Sequence, residues 1–307
     1  MNLQTQPDAD TGAIYAIVNQ GSGTGEGTDC ASRLQQALSA TGRSLEVHAV
    51  APGDDLTEIA RAAAKNGFTT VVAAGGDGTI CGVAAGLVDS GVNMGVLPLG
   101  TFNFFARSLN IPEEFDDAVE VIRSGRTEPA TLGDVNGKVF INNASIGAYA
   151  MILKEREDVY KTWGRSRMAA YWSVLKAMIT LYKPLTMAVT VDGKKVRTKT
   201  PMVFVGICAY QLEEYELDGA EAVRDGKFAV MIAPDSGRLM LIWRALKVAF
   251  RGARKDHDFT LLTGEEVLIE TRRAERLVAR DGENERMKGP YRFRVLKDAV
   301  QVLVPEG

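Results

Sequence analysis

The sequence predicts an α/β region followed by a region made mainly of β-strands. From Ala13 to about Thr131, short apolar runs alternate with segments that carry apolar residues at helical spacing. This pattern is typical of a parallel sheet with helices on both faces. After Asp134, short β-like runs dominate, and turn dipeptides such as Asp192-Gly193 separate several of them. We therefore expect a parallel, helix-covered domain and a mainly antiparallel β domain.

Each element of the first region follows from its periodicity. Short apolar runs predict strands, and apolar residues at helical spacing predict the helices between them. Because ligands of such sheets bind at the carboxyl ends of the strands, the loops that follow the strands are expected to open on one edge. The expected strands are Ala13–Asn19, Ser44–Ala49, Thr70–Ala74 and Met94–Pro98, and the expected helices are Ala31–Thr41, Asp54–Asn66, Ile80–Asp89 and Glu113–Ser124.

The second region is expected to begin near Thr131–Asp134, so that residues 1–132 form the first domain and residues 133–294 the second. The last strand, near residues 295–305, is expected to return to the first domain. The predicted strands of the second region are Lys138–Ala144, Leu185–Val191, Met202–Cys208, Lys227–Ala233, Glu266–Thr271, Arg276–Arg280 and Arg292–Val304.

The composition is that of a soluble globular protein. The chain has 307 residues, of which 46% are hydrophobic and 24% charged, and its length suits two domains of ordinary size. A net charge of −3 gives no general reason to expect nucleic acid binding. Cys30, Cys81 and Cys208 lie far apart without metal spacing, which favours a reducing cytoplasm. No apolar run reaches the roughly 18 residues of a spanning helix, so any membrane contact is expected at the surface.

The most informative stretch is an apolar run, Val71–Ala74, that leads into Gly75-Gly76-Asp77-Gly78-Thr79. Apolar residues at helical spacing follow from Ile80 onward, so the turn is expected to open a helix. Glycines let the backbone approach a ligand closely, and a helix N-terminus favours phosphate. With Asp77 in its middle, the turn predicts a nucleotide phosphate site with an acid beside it.

Two motifs resemble one enzyme family. Gly75–Thr79 is similar to the GGDGT signature shared by the diacylglycerol kinase catalytic domain, the sphingosine and ceramide kinases and the NAD kinases. Gly100–Arg107 resembles the lipid-kinase pattern G-T-x-N-D-F-A-R, with Phe104 in place of the usual Asp. The chain therefore looks like a bacterial soluble lipid kinase of the diacylglycerol kinase family. The resemblance implies an α/β nucleotide-binding domain and a β-sandwich lipid-substrate domain, as in the NAD kinase and diacylglycerol kinase fold.

Transfer of a phosphoryl group to an alcohol needs an acceptor for the hydroxyl proton. The two histidines, His48 and His257, lie in no motif, so a carboxylate is expected to act. The resemblance implies Asp77 as the catalytic carboxylate, either as the base or linked to metal. Without the second motif, an Asp in such a turn would be explained as a helix cap.

Two further acids come from the second region. Val278–Glu283 resembles the family's V-D-G-E signature, which implies Glu283 as a second catalytic carboxylate. A hairpin turn is the simple explanation for Asp281 in the same motif. Val223–Phe228 resembles the D-G-x-L-D-V element, which implies Asp225 as a metal ligand, with a plain turn residue as the alternative.

The resemblance implies that the nucleotide is ATP and that Mg²⁺ bridges its phosphates. Ile17–Gly23 is similar to the N-P-x-S-G opening of lipid kinases, although Gln20 stands where proline is usual. A flexible glycine-rich loop is the alternative there. Arg107 is either a phosphate clamp or one partner of an exposed ion pair. The residues implied in nucleotide binding are Asn19, Ser22, Gly75, Gly76, Gly78, Thr79, Thr101 and Asn103.

Two basic stretches point to a membrane surface. Residues 160–183 and 238–255 contain basic and aromatic residues and no acid. Amphipathic helices of this kind bind anionic membranes, and packing on the β domain is the alternative. We expect a cytoplasmic protein that associates peripherally with the membrane, takes a lipid substrate and binds no nucleic acid. A homodimer is a further option.

The predicted function is ATP-dependent transfer of the γ-phosphoryl group to a lipid hydroxyl, with diacylglycerol converted to phosphatidic acid. A sphingoid base, ceramide or phosphatidylglycerol stays open as acceptor, because no motif recognises the acceptor. One alternative is an NAD kinase-like enzyme, although Asn142-Asn143 is followed by Ala144 and not by the Glu of that family. The other is a membrane-associated sensor without catalysis, since Phe104 and Ala229 replace acids of the family pattern.

Overall fold

The computed structural model of the chain describes residues 12–19, 27–39, 43–147, 184–235 and 259–306. The chain divides into two units, the first made of Met1–Leu132 with Lys297–Gly307 and the second of Gly133–Leu296. Each unit has its own apolar core.

A parallel sheet forms the centre of the first unit. Its strand order is β2-β1-β3-β4 and each neighbouring pair is parallel. The third strand is buried at every position, as expected for a strand covered on both faces. The last strand of the chain joins this sheet through Gln301, which pairs in parallel with Asn93. The prediction of a parallel α/β fold is therefore confirmed. The four strands are β1 (Ile14–Val18), β2 (Leu45–Ala49), β3 (Thr70–Gly75) and β4 (Asn93–Pro98).

Helices cover this sheet: α1 (Gly27–Ser39), α2 (Leu56–Lys65), α3 (Asp77–Leu87), α4 (Phe104–Ser108) and α5 (Phe115–Ser124). Leu34 of α1 and Ile122 of α5 share a buried cluster with Val72 of β3. α2 begins after Asp55, whose carboxylate accepts hydrogen bonds from two backbone N–H groups of the first turn. Of the helices in the described ranges, none is both long and apolar enough to cross a membrane.

Within its described residues, the second unit consists of antiparallel strands and two short helices, and the unit boundaries fall within its first and last strands. The strands are β5 (Arg126–Val135), β6 (Lys138–Phe140), β7 (Asn143–Gly147), β8 (Leu185–Val191), β9 (Lys194–Thr200), β10 (Met202–Gly206), β11 (Phe228–Ile232), β12 (Thr260–Gly264), β13 (Glu266–Thr271), β14 (Glu275–Arg280), β15 (Glu283–Lys288) and β16 (Tyr291–Val304). The helices are α6 (Ala209–Glu214) and α7 (Ala220–Arg224).

Two antiparallel sheets of this unit enclose one core. One has the order β12-β11-β10-β7-β14-β15, and in the other β16, β13, β8 and β9 are neighbours in that order. Phe140 and Phe228 stack in the core with ring centroids 5.9 Å apart. Phe293 meets both rings edge-on, at 6.2 and 6.4 Å. The predicted antiparallel β-sandwich is thereby confirmed.

Some strands differ from the sequence prediction for identifiable reasons. The predicted strand Lys138–Ala144 is two strands, β6 and β7, because Ile141 and Asn142 direct their N–H groups to the carboxylate of Asp281. The prediction also omits β9, which is mostly exposed and rich in lysine, as sheet-edge strands often are. A strand with few apolar residues gives little periodicity from which to predict it.

Replacing Phe228 by alanine is expected to lower the free energy of unfolding by about 3–5 kcal/mol. The ring is fully buried and in contact with two other aromatic rings, so its removal leaves a cavity. Urea denaturation followed by circular dichroism measures the change. The control is Val196→Ala, at an exposed position of β9, for which we expect less than about 1 kcal/mol. Equal losses for the two variants would contradict this description of the core.

Candidate active site

A tight turn joins β3 to α3 at the carboxyl edge of the parallel sheet. β3 ends at Gly75 and α3 begins at Asp77, so Gly76 alone connects them and occupies the N-cap position. Gly76 has no side chain with which to cap the helix. The N–H groups of the first turn of α3 therefore receive no side-chain cap from Gly76, and such a helix end favours anions.

A second loop meets this turn, backbone against backbone. β4 lies beside β3, and the N–H of Leu99 donates to the carbonyl of Gly75 at 2.9 Å. The contact is so close that a Cβ on Gly100 would lie 2.7 Å from the Cα of Gly76. We call Gly76 and Gly100 the glycine pair. Gly100 has to be glycine for both loops to hold this approach, whereas a Cβ on Gly76 would lie 3.4 Å from the Cα of Gly100, which is an ordinary contact distance.

Asn103 shapes the second loop from within. It is buried and has a left-handed backbone, with φ of 50°, which Asn adopts more readily than most residues. Its Oδ1 accepts from the N–H of Gly100 at 3.0 Å, and its Nδ2 donates to the Gly100 carbonyl at 3.1 Å and to Glu113 Oε1 at 2.9 Å. The amide thus holds the loop closed, while Thr101 is exposed on it. Nucleotide binding by these two residues stays a prediction.

Asp77 links the two loops. It is half-buried, and its Oδ1 accepts a hydrogen bond from the N–H of Phe105 at 3.3 Å. Phe104, which stands where the lipid-kinase pattern has an Asp, is buried and stacks on Phe102 with ring centroids 5.4 Å apart. Aromatic packing therefore occurs at the position where that pattern has a carboxylate. Phe102 is 51% exposed.

Asn19, the residue directly after β1, reaches the same edge. The N–H of Asn19 donates to the Ala74 carbonyl at 2.9 Å. The Asn19 Nδ2 donates to the hydroxyl of Thr79 at 3.0 Å. The structure thus brings Asn19, Gly75, Gly76, Asp77, Gly78, Thr79, Gly100, Thr101 and Asn103 to one edge of the first unit. Ser22 lies outside the described residues, as do the basic stretches 160–183 and 238–255.

Arg107 forms an ion pair with Glu113, Nε to Oε2 at 3.5 Å. Of the two explanations offered by the sequence, the ion pair is therefore the one observed. Glu113 also accepts a hydrogen bond from Asn103, which lies ten residues earlier in the chain, and so it supports the second loop. No motif of the sequence singles out Glu113, because its role depends on its contacts with Asn103 and Arg107 and not on local pattern.

In the second unit, Asp281 holds a hairpin turn in place. Its backbone is left-handed, with φ of 44°. Its carboxylate accepts from three consecutive backbone N–H groups, those of Ile141 at 2.8 Å, Asn142 at 2.8 Å and Asn143 at 3.0 Å. The turn explanation is therefore correct, and the turn is also bonded to β7. The interruption of an apolar strand by two Asn residues was the only sequence signal for this contact.

Glu283 follows that turn as the first residue of β15. It is exposed and lies opposite Arg280 in the β14–β15 ladder. Because Asp281 fixes the turn to β7, the position of Glu283 relative to β7 is fixed as well. Asp77 and Glu283 belong to different units, and the catalytic role of each stays a prediction.

Asp225 is an exposed residue that ends α7, where its N–H donates to the Glu221 carbonyl at 3.0 Å. In the part of the chain that the structure describes, no group of three His, Cys, Asp or Glu side chains could hold a metal ion. Mg²⁺ in nucleotide enzymes usually takes one or two carboxylates, waters and phosphate oxygens and needs no protein cage. The half-buried Asp77 beside a phosphate-type turn fits that donor set, and Asp225 as a ligand stays a prediction.

Comparison with known families gives matches along almost the whole chain. Residues 13–135 match the diacylglycerol kinase catalytic domain. Residues 144–304 match the YegS C-terminal NAD kinase beta sandwich-like domain.

Individual relatives agree with these matches. A diacylglycerol kinase of Bacillus subtilis is 30% identical over 236 residues, which are 76% of this chain and 77% of that protein. A diacylglycerol kinase of Staphylococcus aureus is 28% identical over 67% of this chain and 64% of its own. A solved structure of a diacylglycerol kinase from Bacillus anthracis superimposes with a TM-score of 0.72 at 19% identity, covering 95% of this chain and 96% of that one. At that identity the superposition shows the fold.

The substitution Asp281→Ala is expected to destabilise the second unit by at least about 2 kcal/mol, since it removes a charged acceptor from three N–H groups. Thermal unfolding followed by circular dichroism detects the loss. The matched control is Glu283→Gln, two positions along and exposed, whose expected change is within about 0.5 kcal/mol. If both variants melted like the unchanged protein, the assigned role of Asp281 would be wrong.

Proposed function

Because the chain belongs to the diacylglycerol kinase catalytic-domain family, whose members are lipid kinases, we propose that it transfers the γ-phosphoryl group of ATP to a lipid hydroxyl, with diacylglycerol as the acceptor and phosphatidic acid as the product. The observation that carries the proposal is the edge of the first unit, where the glycine pair and Asp77 meet. A cytoplasmic location is part of the same proposal, and the homodimer stays a prediction.

In this proposal the nucleotide phosphates bind at the glycine pair. Support comes from the N-terminus of α3, which lacks a side-chain cap, and from the absence of any Cβ where the two loops meet. Backbone N–H groups and the helix dipole attract phosphate there. The hydrogen bond between Asn19 and Thr79 holds the end of β1 beside this site.

Asp77 is proposed to accept the proton of the lipid hydroxyl during attack on the γ-phosphorus. It is half-buried next to the phosphate site, and its hydrogen bond from Phe105 orients the carboxylate. Glu283 is proposed as the second carboxylate, on a turn that Asp281 makes rigid. When bound, Mg²⁺ would neutralise phosphate charge, and Asp225 is kept as its proposed ligand.

Removal of the proposed base tests the reaction directly. Asp77→Asn is expected to lower kcat for phosphorylation of dioctanoylglycerol in detergent micelles by about 100-fold or more, with ATP binding retained. Transfer of label from γ-labelled ATP to lipid measures it. The control is Asp117→Asn, an exposed acid of α5, which is expected to keep activity within about twofold. No labelled lipid from the unchanged protein, or full activity in Asp77→Asn, would contradict the proposal; labelled NAD would favour the dinucleotide kinase.

Membrane association is proposed as well, and one sheet face of the second unit supports it. Lys195, Thr190, Leu268 and Arg292 are paired in sequence across β9, β8, β13 and β16, so they lie in one row on one face. The opposite face contains the buried core residues of these strands. Basic residues on the outer face are Lys195, Arg197, Lys199, Arg292 and Arg294, against the acids Glu266 and Glu270.

These cations partly neutralise the acids among them. Lys195 bonds to Glu270 at 2.6 Å. That hydrogen bond, with a smaller contribution from the charge of Arg197, lowers the pKa of Glu270. Lys199 and Arg294 form ion pairs as well, with Asp235 at 3.4 Å and with Asp134 at 3.3 Å. A small excess of positive charge remains on this exposed face. Because each basic residue near an anionic membrane contributes about 1 kcal/mol, such a face favours binding to anionic lipid.

The triple variant K195Q/R197Q/K199Q is expected to bind vesicles of phosphatidylcholine and phosphatidylglycerol at least tenfold more weakly. Flotation on a density gradient measures the bound fraction, and activity in detergent micelles is expected to stay unchanged.

A control variant, R61Q/K65Q/R123Q, removes three cations from helices of the first unit. It is expected to float like the unchanged protein. If both triple variants lost the same affinity, net charge and not this face would govern membrane binding, and the assignment would be wrong.

A further inference from the structure

The six-stranded sheet of the second unit contains buried polar atoms that the catalytic proposal does not use. Asn143 is 3% exposed and Ser145 is 0% exposed. Within the described part of the chain, Asn143 Oδ1, Ser145 Oγ and both amide atoms of Asn284 are buried without a hydrogen-bond partner. Buried polar groups in native proteins almost always have partners. A ligand or a water molecule at this place would supply the partners that these atoms lack.

The strand register places these side chains together. Ser145 of β7 is paired with Ala279 of β14, and Ala279 is paired with Asn284 of β15. The three residues therefore form a row on one face of the sheet, with the small Ala279 between two polar side chains about 10 Å apart. Asn143 is two positions from Ser145 and shares its face. We call Asn143, Ser145 and Asn284 the polar row.

The polar row faces away from the sandwich core. Ala144 and Ile146, which alternate with its residues along β7, lie in the core cluster, as does Val278 of β14. One member is held by a helix residue, because Asn143 Nδ2 donates to Gln211 Oε1 of α6 at 2.8 Å. That bond uses the amide nitrogen and leaves the amide oxygen without a partner.

The side chains of the polar row are uncharged and include both hydrogen-bond donors and acceptors. Asn284 Nδ2 is a donor, the Oδ1 atoms of Asn284 and Asn143 are acceptors, and the Ser145 hydroxyl is either. A complementary ligand offers both hydroxyl donors and carbonyl or ether acceptors. A buried charged group would need an opposite charge, and the row supplies none.

We propose that the polar row binds the uncharged, hydroxyl- and ester-bearing head of the acceptor lipid. This inference rests on the proposed lipid kinase function and narrows its acceptor. Neutral acylglycerols and ceramides fit the row. A cationic sphingoid base and the anionic phosphatidylglycerol do not.

The test removes hydrogen-bonding groups without breaking any protein hydrogen bond. Ser145→Ala and Asn284→Leu are each expected to raise the KM for dioctanoylglycerol in detergent micelles by about three- to tenfold. The kcat and the KM for ATP are expected to stay within about twofold, because the variants lose contacts that bind the lipid equally in the ground state and in the transition state. The melting temperature is expected to stay or rise, since a buried polar atom without a protein partner is removed.

Thr200→Val is the matched control. This hydroxyl is also fully buried in the second unit, but it donates to the Ala233 carbonyl at 2.6 Å and lies 2.8 Å from the Met202 carbonyl. Its removal is expected to lower the melting temperature and to leave the KM for dioctanoylglycerol unchanged. The row variants are expected to change the KM and not to lower the melting temperature, and Thr200→Val is expected to do the reverse. This difference would distinguish a loss of acceptor binding from a loss of fold stability.

The unchanged protein is also assayed with sphingosine and with dioctanoyl phosphatidylglycerol, for which we expect kcat/KM at least tenfold below that for dioctanoylglycerol. Higher melting temperatures of the row variants with an unchanged KM would mean that the row holds water only, and the inference would be wrong. A preference for a charged acceptor would overturn it too, while the kinase proposal stands. Phosphorylation of none of these lipids would overturn the kinase proposal itself.

Discussion

The close approach of the glycine pair is the constraint on which the candidate site depends. With a Cβ on Gly100 only 2.7 Å from the Cα of Gly76, no other residue allows the loops after β3 and β4 to meet. Their meeting places the N-terminus of α3 beside α4, so that Asp77 accepts from the N–H of Phe105. The buried amide of Asn103 then holds the second loop in a left-handed turn. The same contact that shapes the sheet edge therefore creates a phosphate-type site with one oriented carboxylate.

In the second unit, a carboxylate holds a turn in place. Three consecutive N–H groups that would otherwise extend a strand point to Asp281, and that carboxylate fixes the turn before Glu283. Hydrogen bonds to an ionised acceptor are stronger than neutral ones, so the hairpin is held at its base. Beside it, the polar row leaves hydrogen-bonding atoms unused in a buried face. Rigid turns and unsatisfied polar atoms thus occur in one part of the unit, as they commonly do at functional sites.

Much of the fold was predictable from the sequence, because strong periodicity governs the first unit. The apolar run before Gly75 and the helix after Asp77 are where the pattern predicts them. Short elements such as α4 were not predictable, since five residues are too few to show helical spacing. Contacts distant in sequence were equally hidden. Asp281 was correctly explained as a turn residue, but its bonds to residues about 140 positions earlier depend on sheet topology that no local motif encodes.

The most direct test of the central claim is to measure nucleotide affinity after a Cβ has been added to the glycine pair. Calorimetric titration with a non-hydrolysable ATP analogue would compare the unchanged protein, Gly100→Ala and the control Gly95→Ala. A Cβ at Gly95 would come nearest to the side chains of Ile122 and Val72. The account predicts that Gly100→Ala lowers affinity at least tenfold, while Gly95→Ala reduces stability and leaves the affinity within about twofold. Unchanged affinity in Gly100→Ala would show that the phosphates bind elsewhere.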